Sequence, residues 1–268
     1  MTSPLRILVA TPLPATVIGG IEEYAYSVIE ELRVRGNEVT VLTTRYGATG
    51  VCSPPPGVTL LDAKEFMGRP WCFRLRSYLG IVPRVRRADV VHVHMPFPFV
   101  ECVVAVAAKV MRKPLVVTYH MDAMVEGVGG RSHPLHRLVA YVYRRVSAVP
   151  TVELAGRVCT NSRAYALQSP VLRPRMDRVI VVHQGIDGGK FRHLSRTGAA
   201  EVRRQFLGDQ YSQLVCFVGR LVPYKGLRVL LEAIQTLHRA GTLFVIGGRG
   251  PQEASLRRLI EEKGLTNV

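Results

Sequence analysis

The chain has 268 residues, 47% of them hydrophobic, and a formal net charge of +16 at pH 7. This length fits two domains or one large α/β unit, and the hydrophobic content excludes a disordered chain. Arginine carries most of the charge, and such a surface favours anionic partners such as nucleic acid, acidic lipid headgroups or phosphorylated substrates.

Five cysteines lie far apart with no C-x-x-C pair, which favours neither a zinc site nor a disulfide framework. We therefore expect a reducing, cytoplasmic compartment. The apolar run from Leu5 to Ala10 has no basic segment before it and predicts a first strand rather than a signal peptide. The later run "VVAVAAKVM" is far shorter than the roughly 20 residues of a membrane span, so we expect any membrane contact to be peripheral.

Apolar runs rich in β-branched residues alternate with helical segments along the first 190 residues. The chain begins with the strand "RILVAT", the helix "IEEYAYSVIEELRVRG" and the strand "NEVTVLTT". A loop with one short strand follows, and "RPWCFRLRSYLGIVPRVRRA" is predicted to be partly helical. Further strands are "DVVHVHMP", "PLVVTYHMD", "GRVCTNS" and "DRVIVVHQGID". This alternation predicts a complete Rossmann-like domain over residues 1–190.

The remaining chain repeats the alternation on a smaller scale. Residues 191–212 are predicted to be a connection with one helix. The strand "QLVCFVGR", a helix, the strand "TLFVIGG" and a final helix then fill residues 213–268. A second Rossmann-like domain needs about 100 more residues. We therefore expect an α/β protein with two Rossmann-like domains, of which the second is only partly present.

Open α/β sheets bind ligands at the carboxyl ends of their strands. Gly19 and Gly20 precede a helix and leave backbone N–H groups open to a phosphate or sugar hydroxyl, or they simply allow a tight loop. His120 closes a strand and is either structural or an acid, base or hydrogen-bonding group. His92 and His94 alternate on one face of a strand, and we expect them to be structural because no carboxylate or cysteine completes a metal site.

The segment "FVGRLVPYKGL" ends a strand at Gly219 and places Arg220 and Lys225 around a turn that leads into a helix. Two cations beside a helix N-terminus favour a phosphorylated ligand, although a solvated pair is the alternative. The glycine-rich "IGGRGP" ends the next strand in a similar way. We interpret "HQGID", with Gly185 and Asp187, as a hinge.

Several nucleotide-binding motifs are absent from the sequence. It contains neither a P-loop, nor G-x-G-x-x-G after the first strand, nor any D-x-D. These absences argue against a P-loop enzyme, a dinucleotide dehydrogenase and metal-dependent binding of a nucleotide diphosphate. A phosphate site in this chain would have to use cations and helix ends.

The order of these segments resembles glycosyltransferase family 4, whose members are retaining enzymes with two facing Rossmann-like domains, the GT-B fold. The resemblance rests on "GGIEEYAYSVIEELRVRGNEVTVLTT", "DVVHVHMP", "PLVVTYHMD", "QSPVLRPRMDRVIVVHQGID", "FVGRLVPYKGLRVLLEAI" and "LFVIGGRGP". It implies metal-free transfer of a sugar from a nucleotide-diphosphate donor, bound between the domains, to a lipid-linked or polysaccharide acceptor. No cofactor beyond the donor substrate is implied.

The resemblance also implies residue roles. Arg220 and Lys225 would neutralise the diphosphate leaving group, and His120 would face the transferring sugar; these three are the predicted catalytic residues. Glu22 and Asp122 would lie on the acceptor side. The predicted donor-binding set consists of glycines and two cations: Gly19, Gly20, Gly219, Arg220, Lys225, Gly248 and Gly250.

Two departures from the family pattern are visible. The family's acidic motif, a pair of glutamates, would fall beyond Val268, so we expect a truncated chain with little or no activity. "HQGID" also lacks the Pro-Asn that usually precedes the glycine at Gly185. The alternative hypothesis is a non-catalytic remnant or a module that binds an acceptor or a membrane.

The stretch from Arg69 to Arg87 combines arginines with aromatic residues and has no acidic residue. It is either an interfacial segment for an anionic leaflet that carries a lipid-linked acceptor, or a solvated helix face. We expect the protein to work peripherally at the inner face of the membrane, in cell-envelope polysaccharide or glycolipid assembly. Nucleic-acid binding is disfavoured because no motif for it is present.

Overall fold

A computed structural model of the chain describes residues 3–15, 19–45, 56–66, 69–71, 78–122, 134–186, 188–189, 196–237 and 241–268. The chain forms two compact units. The first contains Met1–Met124 and Leu135–Gly185, and the second contains Ile186–Val268.

The first unit is built on a seven-stranded sheet in which every neighbouring pair is parallel. Its strands are β1 (Arg6–Ala10), β2 (Glu38–Thr44), β3 (Val58–Leu61), β6 (Val90–Met95), β7 (Leu115–Tyr119), β8 (Arg157–Thr160) and β9 (Val179–Val181). The spatial order is β3-β2-β1-β6-β7-β8-β9. The order reverses between β1 and β6, and this is the point where doubly wound sheets leave a crevice for ligands.

Helices cover both faces of this sheet. They are α1 (Gly20–Val34), α2 (Ile81–Arg87), α3 (Val100–Val110), α4 (Pro134–Tyr143), α5 (Val149–Leu154) and α6 (Arg163–Gln168). Alternate residues of a strand point to opposite faces. Ile7 and Val9 accordingly pack with Ile29 of α1, whereas Leu8 belongs to the larger core that includes Val104 of α3.

The helices α4 and α5 are joined by a π-helical turn, Arg144–Ala148. Pro150 has no N–H to donate, so the regular hydrogen-bond ladder is interrupted there and the preceding turn widens. The hydroxyl of Thr151 donates to the carbonyl oxygen of Ser147 at 2.7 Å and satisfies one group in this turn. The result is a nearly continuous helical body from residue 134 to residue 154.

The second unit has its own small core. Helix α7 (Arg196–Leu207) precedes two parallel strands, β10 (Gln213–Val218) and β11 (Thr242–Gly247), and the helices α8 (Leu227–Leu237) and α9 (Glu253–Glu262). The core includes Leu231 and Ile234 of α8, Phe244 of β11 and Leu256 of α9. Because each strand leads into a helix, this unit confirms the predicted α/β alternation.

The segment from residue 58 to residue 88 differs from the prediction. A short antiparallel pair, β4 (Lys64–Phe66) and β5 (Arg69–Trp71), follows β3. The segment 69–88 was predicted to be partly helical, and it is: its end forms α2, whereas its start at Arg69–Trp71 is extended. None of the helices in the described part of the chain combines the length and the apolar character that a membrane crossing needs.

Candidate functional site

The first strand end leads into α1 through Gly19, which is the N-terminal cap residue of the helix and offers no side-chain cap. The first turn carries Glu22 and Glu23, and the Glu22 side chain is buried. It folds back so closely that a Cβ atom at Gly19 would overlap its carboxylate, whereas the space around Gly20 is open. Two carboxylates at this helix end favour a neutral, hydroxyl-bearing ligand over a phosphate.

Three histidines meet at the carboxyl ends of β6 and β7. These strands are neighbours, with His94 in register with Thr118. The Nδ1 atom of His94 lies 3.0 Å from Nε2 of His120, and the rings of His92 and His94 lie 4.4 Å apart. The Tyr24 ring of α1 contacts the ring of His120 edge-on at 5.3 Å. Sequence reasoning placed His92 and His94 on one face of a strand but treated His120 separately, and it did not single out Tyr24.

Burial keeps this histidine group neutral. It lowers the pKa of His92 and of His120 to about 4, and it lowers the pKa of His94 well below the usual range. Nε2 of His92 is paired with the Thr118 hydroxyl at 2.8 Å, whereas Nε2 of His94 is buried with no hydrogen-bond partner among the described residues. In the His94–His120 hydrogen bond one nitrogen donates to the other, so the tautomers of the two imidazoles are coupled.

Asp122 anchors the start of the loop after β7 by side-chain hydrogen bonds. Its Oδ1 atom accepts hydrogen bonds from the hydroxyls of Tyr119, at 2.8 Å, and of Ser169, at 3.0 Å. Its Oδ2 atom accepts one from the hydroxyl of Tyr165 at 2.7 Å. Burial, together with the Asp122 carboxylate, raises the pKa of both tyrosines, so they remain hydroxyl donors. The predicted acceptor-side residue Asp122 therefore holds in place the loop that carries His120.

The second unit presents cations at the end of β10. Gly219 follows the strand, and a 3-10 turn, Pro223–Lys225, leads through Gly226 into α8. Arg220 and Lys225 are both exposed, and within the described ranges no carboxylate forms an ion pair with either. The ammonium of Lys225 lies 5.7 Å from the centre of the Tyr224 ring. Neither cation is paired with a carboxylate of the described residues, so both are available to an anionic ligand.

The glycine-rich loop after β11 supports the loop after β10. A Cβ atom at Gly248 would overlap the carbonyl oxygen of Gly219, and one at Gly250 would overlap the backbone of Leu221. The two loops are also hydrogen-bonded, because Leu221 N–H donates to the carbonyl of Arg249 at 2.9 Å. Gly248 and Gly250 thus have a packing role that spacing alone did not reveal. Arg249 is exposed and adds a third cation that sequence reasoning did not single out.

Some predicted features are engaged elsewhere or lie outside the described residues. Arg74, Arg76 and Asp187 belong to the latter group. Arg84 of the basic stretch donates to the Thr59 hydroxyl and to the carbonyl of Gly80. Gly185 is the last residue of the first unit.

No metal-binding cluster is found in the part of the chain that the structure describes, where no group of three or more His, Cys, Asp or Glu side chains is placed to hold an ion. Each unit therefore has its own candidate site residues, and the two sets differ in chemistry. The first unit offers neutral imidazoles, hydroxyls and a buried carboxylate. The second unit offers exposed cations on a close-packed pair of loops.

Two family models together match nearly all of the chain. Glycosyltransferase Family 4 matches residues 18–189, and Glycosyl transferases group 1 matches residues 199–268. Among curated relatives, O-antigen chain mannosyltransferase C of Escherichia coli is 28% identical over 93% of this chain and 62% of its own length. D-rhamnosyltransferase WbpZ of Pseudomonas aeruginosa is 29% identical over 94% of this chain and 61% of its own length. The chain thus spans about three fifths of the length of these relatives.

Solved structures show the same fold. Anabaena Alr3699/HepE, solved with UDP and glucose, matches with a TM-score of 0.69 at 19% identity, over 98% of this chain and 67% of that one. The catalytic domain of Starch Synthase IV from Arabidopsis thaliana, bound to ADP and acarbose, matches with a TM-score of 0.58 at 16% identity, over 98% of this chain and 71% of that one. The predicted fold class, α/β of the GT-B type, is confirmed. With a family model that covers more than half of its residues, the chain belongs to glycosyltransferase family 4.

Proposed function

We propose that this chain takes part in the transfer of a sugar from a nucleotide-diphosphate donor to a lipid-linked or polysaccharide acceptor, with retention of the anomeric configuration and without a metal. The names of its relatives, an O-antigen chain mannosyltransferase and a D-rhamnosyltransferase, support sugar transfer in surface-polysaccharide assembly. A structural neighbour solved with UDP and glucose supports a nucleotide-sugar donor.

The observation that carries the proposal is the exposed pair Arg220 and Lys225 on the supported loop after β10. A guanidinium forms paired hydrogen bonds to phosphate oxygens, and an ammonium adds a compact charge. Together they stabilise the negative charge that develops on a diphosphate as it leaves the sugar. Because the sequence has no D-x-D, we assign to these side chains the neutralisation that a metal supplies in other nucleotide-diphosphate sites.

In the first unit we assign His120 to the transferring sugar. A neutral imidazole donates or accepts a hydrogen bond, and this suits a sugar hydroxyl better than a charged phosphate. The acidic first turn of α1, with Glu22 buried behind Gly19, suits an acceptor or sugar hydroxyl. Asp122 acts by holding the loop. We expect the protein to act in the cytoplasm, at the inner face of the membrane where a lipid-linked acceptor is available.

The test is calorimetric titration of the full chain with UDP, GDP and a panel of their sugars. We expect saturable binding of one nucleotide series. Arg220→Ala and Lys225→Ala should each weaken it by about 10- to 100-fold, the range of a lost hydrogen bond to a charged group. Arg228→Ala is the matched control, because Arg228 is an exposed cation of α8 in the same unit.

Two results would refute the proposal. One is the absence of saturable heat with every nucleotide and nucleotide sugar in the panel. The other is equal weakening of nucleotide binding by Arg228→Ala and Arg220→Ala. That result would mean that the lower affinity reflects only the loss of one positive charge. Membrane or acceptor binding without nucleotide binding would instead favour the alternative hypothesis, a non-catalytic binding module.

A further inference from the structure

The outer face of α4 and the π-turn after it is apolar although it faces solvent. Leu135, Leu138, Val142 and Val146 recur at spacings of three and four residues, which places them on one side of a helix. Their exposed fractions are 53%, 57%, 40% and 54%. We refer to these four side chains as the α4 stripe.

The α4 stripe is larger than the exposed apolar groups on other described helices. Val106 and Val110 lie one turn apart on α3, and Val202 and Phe206 lie one turn apart on α7, whereas the α4 stripe has four such side chains. Val34, which is 80% exposed, is the last residue of α1. Single exposed apolar residues are ordinary on protein surfaces, whereas a contiguous apolar face marks a site of contact.

The charged side chains of residues 134–152 are all cationic, and Glu153, which follows them, is paired with Arg175 and Arg178. Cζ of Arg144 lies 5.7 Å from the centre of the Tyr141 ring, and Cζ of Arg145 lies 5.6 Å from it. The Tyr141 side chain is half exposed, and Arg137 on the same helix is exposed. The sequence from Pro134 to Val152 contains no aspartate or glutamate. A partner surface that covers this helix would therefore need apolar groups opposite the stripe and negative rather than positive charge opposite the arginines.

The opposite side of the same helical body is fixed to the core. The hydroxyl of Ser147 donates to Oε1 of the buried Glu101 at 2.8 Å and accepts from the N–H of Phe99 at 3.1 Å. Tyr143 and Ala148 are buried. Phe99 comes shortly after the carboxyl end of β6, the strand that carries His94. The helix is thus held with its apolar face outward, and it is attached next to the strand end where the histidines meet.

We propose that the α4 stripe, together with Arg144 and Arg145, is a docking surface for a lipid bilayer that contains anionic lipids. The apolar side chains enter the boundary between headgroups and acyl chains, and the two guanidiniums contact the anionic headgroups. Tyr141 lies between these layers, as aromatic rings with a polar tip do at membrane interfaces.

The Arg69–Arg87 stretch is a separate candidate for membrane contact, in which Arg84 is engaged in internal hydrogen bonds whereas Arg86 and Arg87 are exposed. The inference rests on the proposed function in its account of the acceptor, because a lipid-linked acceptor would be presented at the bilayer surface that the α4 stripe contacts. Bilayer binding itself requires no sugar transfer.

The test is flotation of the full chain with vesicles of phosphatidylcholine alone or with added phosphatidylglycerol. We expect binding to the mixed vesicles to be at least tenfold stronger than to phosphatidylcholine. The double variant Leu138→Gln/Val142→Gln should reduce binding to the mixed vesicles at least tenfold. The double variant Arg144→Gln/Arg145→Gln should abolish the preference for phosphatidylglycerol.

Matched controls change the same residue types elsewhere. Val34→Gln/Val110→Gln removes two exposed valines from other helices, and Arg257→Gln/Arg258→Gln removes an exposed arginine pair from α9. Both should bind like the wild type. Because the altered side chains are exposed, every variant should keep the wild-type circular dichroism spectrum and melting temperature, and this separates loss of binding from loss of folding.

A second measurement reports insertion directly. Trp71 is the only tryptophan, so Tyr141→Trp in a Trp71→Phe background gives one reporter beside the α4 stripe. Its emission should shift to shorter wavelength with the mixed vesicles and not with phosphatidylcholine alone.

Three outcomes would overturn the assignment: no vesicle binding, equal binding by the α4 variants and the controls, or a chain that self-associates through the α4 stripe and ignores vesicles. Nucleotide titration of the same variants keeps the two proposals apart, because α4 substitutions should leave donor binding unchanged. An α4 variant that loses vesicle binding but still binds the nucleotide would show that the α4 stripe acts in membrane docking and not in donor binding.

Discussion

The buried histidines predict a loss of stability in mild acid, and His92 is the clearest case. Burial lowers its pKa to about 4, whereas a histidine in an unfolded chain titrates near about 6.5. The unfolded state therefore binds the proton more readily. Stability is fully present above pH ~6.5 and is lost as the pH falls towards the folded-state pKa.

The magnitude follows from these two pKa values. Between pH 7.5 and pH 5, protonation of the unfolded state costs about 2 kcal/mol of stability for His92 alone. His120, whose pKa burial also lowers to about 4, adds a similar amount, and His94 adds to both. A loss of about 4 kcal/mol is a large part of the roughly 5–15 kcal/mol that stabilises a typical domain.

Urea denaturation followed by circular dichroism at several pH values between 7.5 and 5 measures this loss. His92→Gln removes one titrating group, so its stability should depend less on pH, by about 2 kcal/mol over this range. Any constant cost of the substitution cancels in that comparison. His183→Gln is the control, because His183 is exposed. If wild type, His92→Gln and His183→Gln lose stability in parallel, or if none loses any, the reasoning from buried neutral imidazoles is refuted.

Three further substitutions test the packing and polar contacts of the site by the same denaturation assay. Gly250→Ala should destabilise the second unit by about 2 kcal/mol or more, because its Cβ meets backbone, whereas Gly185→Ala, in open space, should be neutral. Asp122→Asn should cost about 1.5–3 kcal/mol by weakening its hydrogen bonds to three hydroxyls. Ser147→Ala should cost about 1–3 kcal/mol, since it removes a hydroxyl that donates to the buried carboxylate of Glu101, and equal stability of variant and wild type would contradict that contact.

The strands of the sheet could be predicted because each is a short β-branched run between turn residues, and such runs need burial on both faces. Within residues 69–88 the sequence predicted a partial helix but not where it begins. This stretch mixes arginines, aromatic residues and prolines without a helical period, and its extended start at Arg69–Trp71 pairs with Lys64–Phe66. The hydrophobic pattern of the sequence does not reveal that pairing.

The site was only partly predictable. The position of His120 at a strand end made it a candidate from the sequence, but its contact with His94 depends on the register between β6 and β7. Spacing within one strand carries no information about that register. The sequence marked the glycines after β11 as unusual but did not explain them. They are glycines because they approach the backbone of Gly219 and Leu221 closely, and this contact forms only when the two loops fold against each other.

The division of charge between the two units has a consequence for the chemistry. Arg220 and Lys225 lie in solvent with no internal carboxylate among the described residues, so an incoming anion has no internal ion pair to displace. His120 is held neutral by burial, which lowers its pKa to about 4. In the proposed function the cations would bind the diphosphate and the neutral imidazole of His120 would bind a sugar hydroxyl. The burial that costs stability in acid is then also what keeps His120 uncharged.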